Sequence, residues 1–136
     1  MIVIAMQNAI NVTCAIIVKD NKILVAQRSE KMKLPLKWEF PGGKLEENED
    51  DDTCIKREIR EEINIEIEII KKLSYTIHDY GDFKIKLIPF LANYISGEII
   101  LLEHSDYKFM DKNELYKLDW AEADLPIVEE LLKTEL

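Results

Sequence analysis

The stretch Gly42–Ile65, GGKLEENEDDDTCIKREIREEINI, decides how the rest of the chain is read. Between Lys44 and Glu62 it carries nine Asp or Glu residues against four Lys or Arg, a local balance of −5 within a chain of net charge −9. Asp50, Asp51 and Asp52 suit the positive end of a helix, and one of them can cap it. The helix is expected to run from about Asp51 to Ile63, with Cys54, Ile55 and Ile59 facing inward. Asn64 should stop it, because Asn tolerates the left-handed backbone of a C-terminal cap. Glu58, Glu61 and Glu62 stand at i, i+3 and i+4 and so share one helical face. Like charges at that spacing cost a few tenths of a kcal/mol per pair. Keeping three together implies a cation between them.

Outward from this helix the pattern is mostly strand. Residues 1–10 are apolar and read as an added edge strand or an ordered lead-in. Asn11–Val18 is rich in β-branched residues and forms a hairpin with Lys22–Gln27 across Asp20-Asn21. Arg28 ends the second strand. A basic loop, Ser29–Lys37, leads to Trp38-Glu39-Phe40 and an expected tight turn at Pro41-Gly42-Gly43. Ile65–Ile70 alternates as a half-buried strand. Leu73–His78 and Phe83–Tyr94 flank a hairpin signal, DYGD, and Pro89 points to an edge or a bulge. Tyr107–Met110 is a short strand and Asp111–Leu118 a short capped helix. Asp124 caps a last helix with Pro126 in its first turn and Ile127, Val128, Leu131 and Leu132 inward. The expected class is α/β: one domain over residues 1–136, with a mixed β-sheet and at least two helices packed on it.

Bulk properties narrow the function. An apolar fraction of 47% over 136 residues allows a sizeable core. No apolar run approaches the roughly 20 residues of a membrane span. The start lacks a basic leader, so no signal peptide is expected. Cys14 and Cys54 form no CxxC pair and read as reduced, packed thiols of a cytoplasmic protein. The acidic balance argues against a nucleic-acid polymer as partner. A small anionic ligand remains open, because a divalent metal bridges two sets of negative charge.

Three carboxylates on one helix face beside a Gly-Gly stretch make an all-oxygen site suited to Mg²⁺, with Mn²⁺ as the alternative. Mg²⁺ takes one or two protein carboxylates and fills its shell with water and substrate phosphates, so a diphosphate-containing substrate is expected. The plain alternative is a solvated acidic face, and REIREEI alone would carry no more than that. Gly43 and Glu49 at fixed distance from it tip the balance. Gly42-Gly43-Lys44 is not a phosphate loop. GxxxxGK[ST] needs a glycine where Trp38 stands and Ser or Thr where Leu45 stands.

Written out, Gly43, Glu49, Arg57-Glu58-Ile59, Glu61-Glu62 and Ile65 resemble the Nudix box of the Nudix hydrolases. Every fixed position matches except the late glycine, which is Asn64 here. The resemblance implies the family's α/β/α sandwich and gives Glu58, Glu61 and Glu62 as metal ligands. The Gly42 carbonyl is a weaker fourth. Arg57 is then the orienting partner of Glu49 and the other carboxylates, since an Arg fork fixes a carboxylate as Lys cannot.

The flanking LVAQR and WEFPGGKLE look like the MutT-type branch, which cleaves nucleoside triphosphates to the monophosphate and pyrophosphate. By that resemblance Arg28 and Lys44 are candidate phosphate contacts. Glu39 supports metal or ribose, or is structural. Glu103 resembles an acidic loop residue used as an extra metal ligand or general base. Asp124 stands where relatives read the base edge, although Asp is also an ordinary helix cap. His104 reads as a solvent-facing loop residue. Trp120 and Phe40 are core aromatics before they are base-stacking ones. The expected substrates are oxidised purine nucleotides such as 8-oxo-dGTP, with CTP or dCTP as the alternative. ADP-ribose and dinucleoside polyphosphates are further members of the class. A nucleotide-binding sensor without catalysis is the reading from another class. The chain is expected to act as a monomer or homodimer.

Overall fold

The computed structural model describes residues 9–134. The reading of residues 1–10 as an extra strand therefore lies almost wholly outside the described residues; Ile10 already opens the first strand.

The elements follow in the order β1 (Ile10–Lys19), β2 (Lys22–Gln27), β3 (Trp38–Glu39), β4 (Gly42–Lys44), α1 (Asp51–Ile63), β5 (Glu66–Lys72), β6 (Thr76–Asp79), β7 (Lys84–Ser96), β8 (Asp106–Met110) and α2 (Leu125–Lys133). Short 3₁₀ turns at Lys112–Lys117 and Glu122–Asp124 precede α2. The strands build a mixed sheet of order β3-β2-β1-β7-β5, with β4 added to β1, β6 to β7 and β8 to β2. β1 and β7 run parallel; the other pairings are antiparallel.

Alternation along β1 divides the core in two. Ala15 and Ile17 face α1, where Ile55, Ile59, Ile63 and Phe90 close one layer. Cys14 and Ile16 face the other way, packed with Trp38, Phe40, Trp120, Ile127, Val128 and Leu131. The result is the expected α/β/α sandwich. Leu132, expected inward, is 40% exposed. Both cysteines are buried free thiols. Among the described residues no helix is long and apolar enough to cross a membrane.

Helix α1 begins and ends where its local chemistry dictates. Asp50 caps it by accepting from the Thr53 N–H at 2.8 Å, and Asn64 ends it with φ 63°. The Asn64 side-chain amide also donates to the Glu98 carbonyl at 3.1 Å. The segment Asp111–Leu118 is a 3₁₀ turn without a side-chain cap. Pro89 is not on an edge: it lies in central β7, opposite Cys14 of β1. Its carbonyl accepts from Leu73, and its missing N–H falls where β7 changes partner from β6 to β5.

Candidate active site

The two glycines lie in strand β4, Gly42 opposite Cys14 and Gly43 opposite Thr13. The expected tight turn is absent, and neither glycine has a positive φ. They serve close approach instead. A Cβ on Gly42 would sit 2.0 Å from the Thr13 carbonyl oxygen, and one on Gly43 would sit 2.0 Å from Glu58 Oε2. The sheet backbone and a helix carboxylate thus share space that no side chain could enter.

Arg57 organises the acids of α1. Its Nε and Nη2 hold the two oxygens of Glu49 at 2.6 and 2.8 Å, and Nη1 reaches Glu58 and Glu61 at 2.9 Å each. Nη2 also donates to the Lys44 carbonyl. The grip holds the Glu49 carboxyl down at about 2. The shared face is graded in depth: the Glu61 side chain is 58% exposed and that of Glu58 16%, while Glu62 is buried. Glu62 accepts one hydrogen bond, from the Gly42 N–H at 3.2 Å. Among the described residues no Lys, Arg or His pairs with it. Burial first, then the charges of Glu39, Glu58 and Glu103, push its pKa up to about 10. Burial also raises Glu58, against the pull of Arg57. Glu103 is exposed on the β7–β8 loop with its carboxyl against that of Glu62.

No three acidic, His or Cys side chains among the described residues converge into a closed metal cluster. A hard cation that keeps most of its water and takes substrate oxygens does not need one. The donors fit such an ion: all are oxygens, and Glu62 is a buried acid among other acids with no cation of its own.

A cavity of about 580 Å³ opens beside this face, lined by Gly42, Gly43 and Glu62 together with Arg28, Lys44, Glu39, Asp124, Tyr80 and Phe83. Asp124 does not cap α2; its side chain makes no cap bond. It turns inward, buried, and Oδ2 accepts from the Phe40 N–H at 2.9 Å. Burial and the nearby Glu39 raise its pKa. Phe40 and Trp120 pack on each other at 4.8 Å as core residues. Beside Phe40, the pocket is lined by Tyr80 and Phe83, stacked at 5.2 Å, which the sequence reading passed over, Tyr80 as a turn residue and Phe83 as the start of a strand. The signal was present: one aromatic lies within the DYGD turn and the other directly follows it, and the Tyr80 hydroxyl accepts from the Ala123 N–H beside Asp124.

Glu39 is fully engaged. Its Oε1 accepts from Arg28 Nη1 at 2.8 Å, and its Oε2 lies 2.8 Å from His104 Nε2. His104 is therefore not solvent-facing: its side chain is completely buried. Lys44 projects from β4 with its side chain exposed.

The NUDIX domain family matches residues 7–131. A Buchnera aphidicola (subsp. Schizaphis graminum) protein named 8-oxo-dGTP diphosphatase is 32% identical over 123 residues, covering 90% of this chain and 93% of that protein. An Escherichia coli CTP pyrophosphohydrolase is 32% identical over 120 residues, covering 88% of this chain and 89% of the relative. The solution structure of a MutT protein from Staphylococcus aureus is 44% identical and superposes with a TM-score of 0.75, covering 94% and 98% of the two chains. With helix α1, its graded carboxylates and the flanking pocket in place, the chain belongs to the Nudix hydrolase family, in its MutT-like branch.

Proposed function

We propose that this hydrolase cleaves a nucleoside triphosphate to the monophosphate and pyrophosphate in a Mg²⁺-dependent reaction, with Mn²⁺ as a substitute. The carrying observation is Glu62, a buried acid without a protein cation, at the wall of a cavity that also holds Arg28 and Asp124. Glu58, Glu61 and Glu62, with the Gly42 carbonyl, would hold the metal, and Glu103 stands beside them as a further ligand or general base. When bound, the cation would shield phosphate charge and acidify the attacking water.

The protein's own part is positioning and charge. Arg57 fixes Glu58 and Glu61 in direction and leaves Glu62 free to be neutralised from the cavity side. Arg28, anchored by Glu39, aims a cation at the phosphates, and Lys44 adds a second from the strand edge. Tyr80 and Phe83 offer an aromatic wall for the base. Asp124 keeps one oxygen on the Phe40 N–H and has the other to meet the base edge.

The relatives name two bases, oxidised guanine and cytosine. Oxidised guanine is the first reading because the Buchnera relative spans slightly more of both chains. Cytosine is the second, raised by the Escherichia coli relative, and Asp124 can accept from the exocyclic amine of either base. A panel of normal and oxidised nucleoside triphosphates, ADP-ribose and dinucleoside polyphosphates with Mg²⁺ tests this, scoring pyrophosphate apart from phosphate. Release of pyrophosphate with preference for 8-oxo-dGTP or CTP supports the proposal. Nucleotide binding without turnover on the whole panel would make the chain a sensor instead. Glu61→Gln should bind nucleotide and lose most turnover.

A further inference from the structure

Glu103 occupies an improbable place. It is exposed on a loop, yet its carboxyl lies against Glu62 and within the field of Glu58. Three carboxyls meet here, and among the described residues no Lys, Arg or His pairs with Glu103 to fix its side chain. The backbone must therefore be held in its stead. Three main-chain bonds do part of this: Ile100 N–H to the Ile63 carbonyl, Leu102 N–H to the Glu62 carbonyl, and Ser105 N–H to the Gln27 carbonyl.

The remaining tie is the residue next to Glu103. The His104 side chain is completely buried, and Nε2 meets Glu39 Oε2 at 2.8 Å. Its Nδ1 is buried with no partner among the described residues. A proton on Nε2 makes the bond to Glu39; the other tautomer would set two acceptors face to face. Glu39 is itself held by Arg28 and lies three residues before Gly42. The tie thus runs from the acidic loop to the strand segment that carries the glycines.

We infer that His104 is a positioning residue, which through Glu39 holds the β7–β8 loop so that Glu103 faces Glu58 and Glu62. It touches neither substrate nor metal. The inference rests on the role proposed above for Glu103.

Four variants test it: Glu103→Gln, His104→Gln, His104→Met and the double variant Glu103→Gln/His104→Met. Gln keeps a donor near the Nε2 position, whereas Met fills similar space without one. His104→Met should lower kcat about 10- to 100-fold, the range for residues that orient ligands, with KM nearly unchanged. His104→Gln should recover most of that loss. In the Glu103→Gln background His104→Met should cost little more, because both act through one group. Two readouts stand apart from turnover. Mn²⁺ binding followed by electron paramagnetic resonance should weaken alike in His104→Met and Glu103→Gln. Amide exchange should quicken at Leu102 and Ser105 and stay slow in β1 and β7.

Wild-type kcat in His104→Met would overturn the inference. So would equal losses in the Gln and Met variants, independent losses in the double variant, or faster exchange across the whole sheet. An unimpaired Glu103→Gln would overturn the proposed role of Glu103 itself and the positioning role with it. An impaired Glu103→Gln beside an intact His104→Met would overturn the positioning role alone.

Discussion

Arg57 and Glu49 meet through two parallel bonds, Nε to Oε2 at 2.6 Å and Nη2 to Oε1 at 2.8 Å. Only a planar fork makes this pair while a third nitrogen serves Glu58 and Glu61. Arg57→Lys keeps the charge and loses the fork. It should lower kcat about 10- to 100-fold, as expected for a group that orients ligands, with nucleotide affinity much less affected. Steady-state kinetics against equilibrium binding checks the split.

The two glycines should fail differently. Gly42→Ala drives a Cβ into main-chain atoms of Thr13, which cannot yield without moving β1. It should cost about 1–3 kcal/mol of stability, the usual range for overpacking. Gly43→Ala meets only the end of the Glu58 side chain, which can swing away. It should melt near the wild-type temperature and lose activity. Thermal melts and kcat, measured on both, decide the matter.

Glu62 contributes to the pH behaviour of the metal-free protein, in the same direction as the raised Asp124 and Glu58. Its folded pKa of about 10 lies above the ordinary carboxylate value of 4.5, so between those limits the folded state holds a proton that the unfolded state has lost. This contribution falls as pH rises through that window. Glu49, held down at about 2, acts oppositely: its stabilisation is present above 4.5 and is lost as pH falls toward 2. Melts in a chelator should show stability declining from pH 5 to pH 9, and Glu62→Gln should make the decline shallower. Adding Mg²⁺ in weak buffer should release protons from the wild type and fewer from that variant.

Asp124 should govern base choice apart from rate. Asp124→Asn can still accept from the Phe40 N–H but offers the base a donor as well. It should reorder the substrate panel with little change in melting temperature. Asp124→Ala leaves the Phe40 N–H buried without its partner and should cost about 1–3 kcal/mol. Ratios of kcat/KM across bases, set beside denaturant midpoints, separate the two effects.

The helix Asp51–Ile63 was legible to the residue because its signals are local. Asp50 caps Thr53, and Asn64 takes the left-handed conformation. The hairpin of β1 and β2 was legible for the same reason. What escaped depends on packing between distant segments. Glu61 and Glu62 are neighbours of one type, and packing against distant segments, Gly42 of β4 among them, buries one while the other stays exposed. His104 looks like any loop histidine until Glu39 closes over it from 65 positions away. Pro89 read as an edge or a bulge because nothing local tells that β7 changes partners at that point. Asp124 had a local role available as a helix cap, and burial against Phe40 overrode it.

The pocket draws on both layers of the sandwich. The acids come from the helix on one face of the sheet, and Asp124 sits at the entrance to the helix on the other. The chain between Trp38 and Lys44 is the bridge they share. Under the roles proposed above, substitutions in the second layer would retune which base is admitted while the first keeps its bond-breaking chemistry.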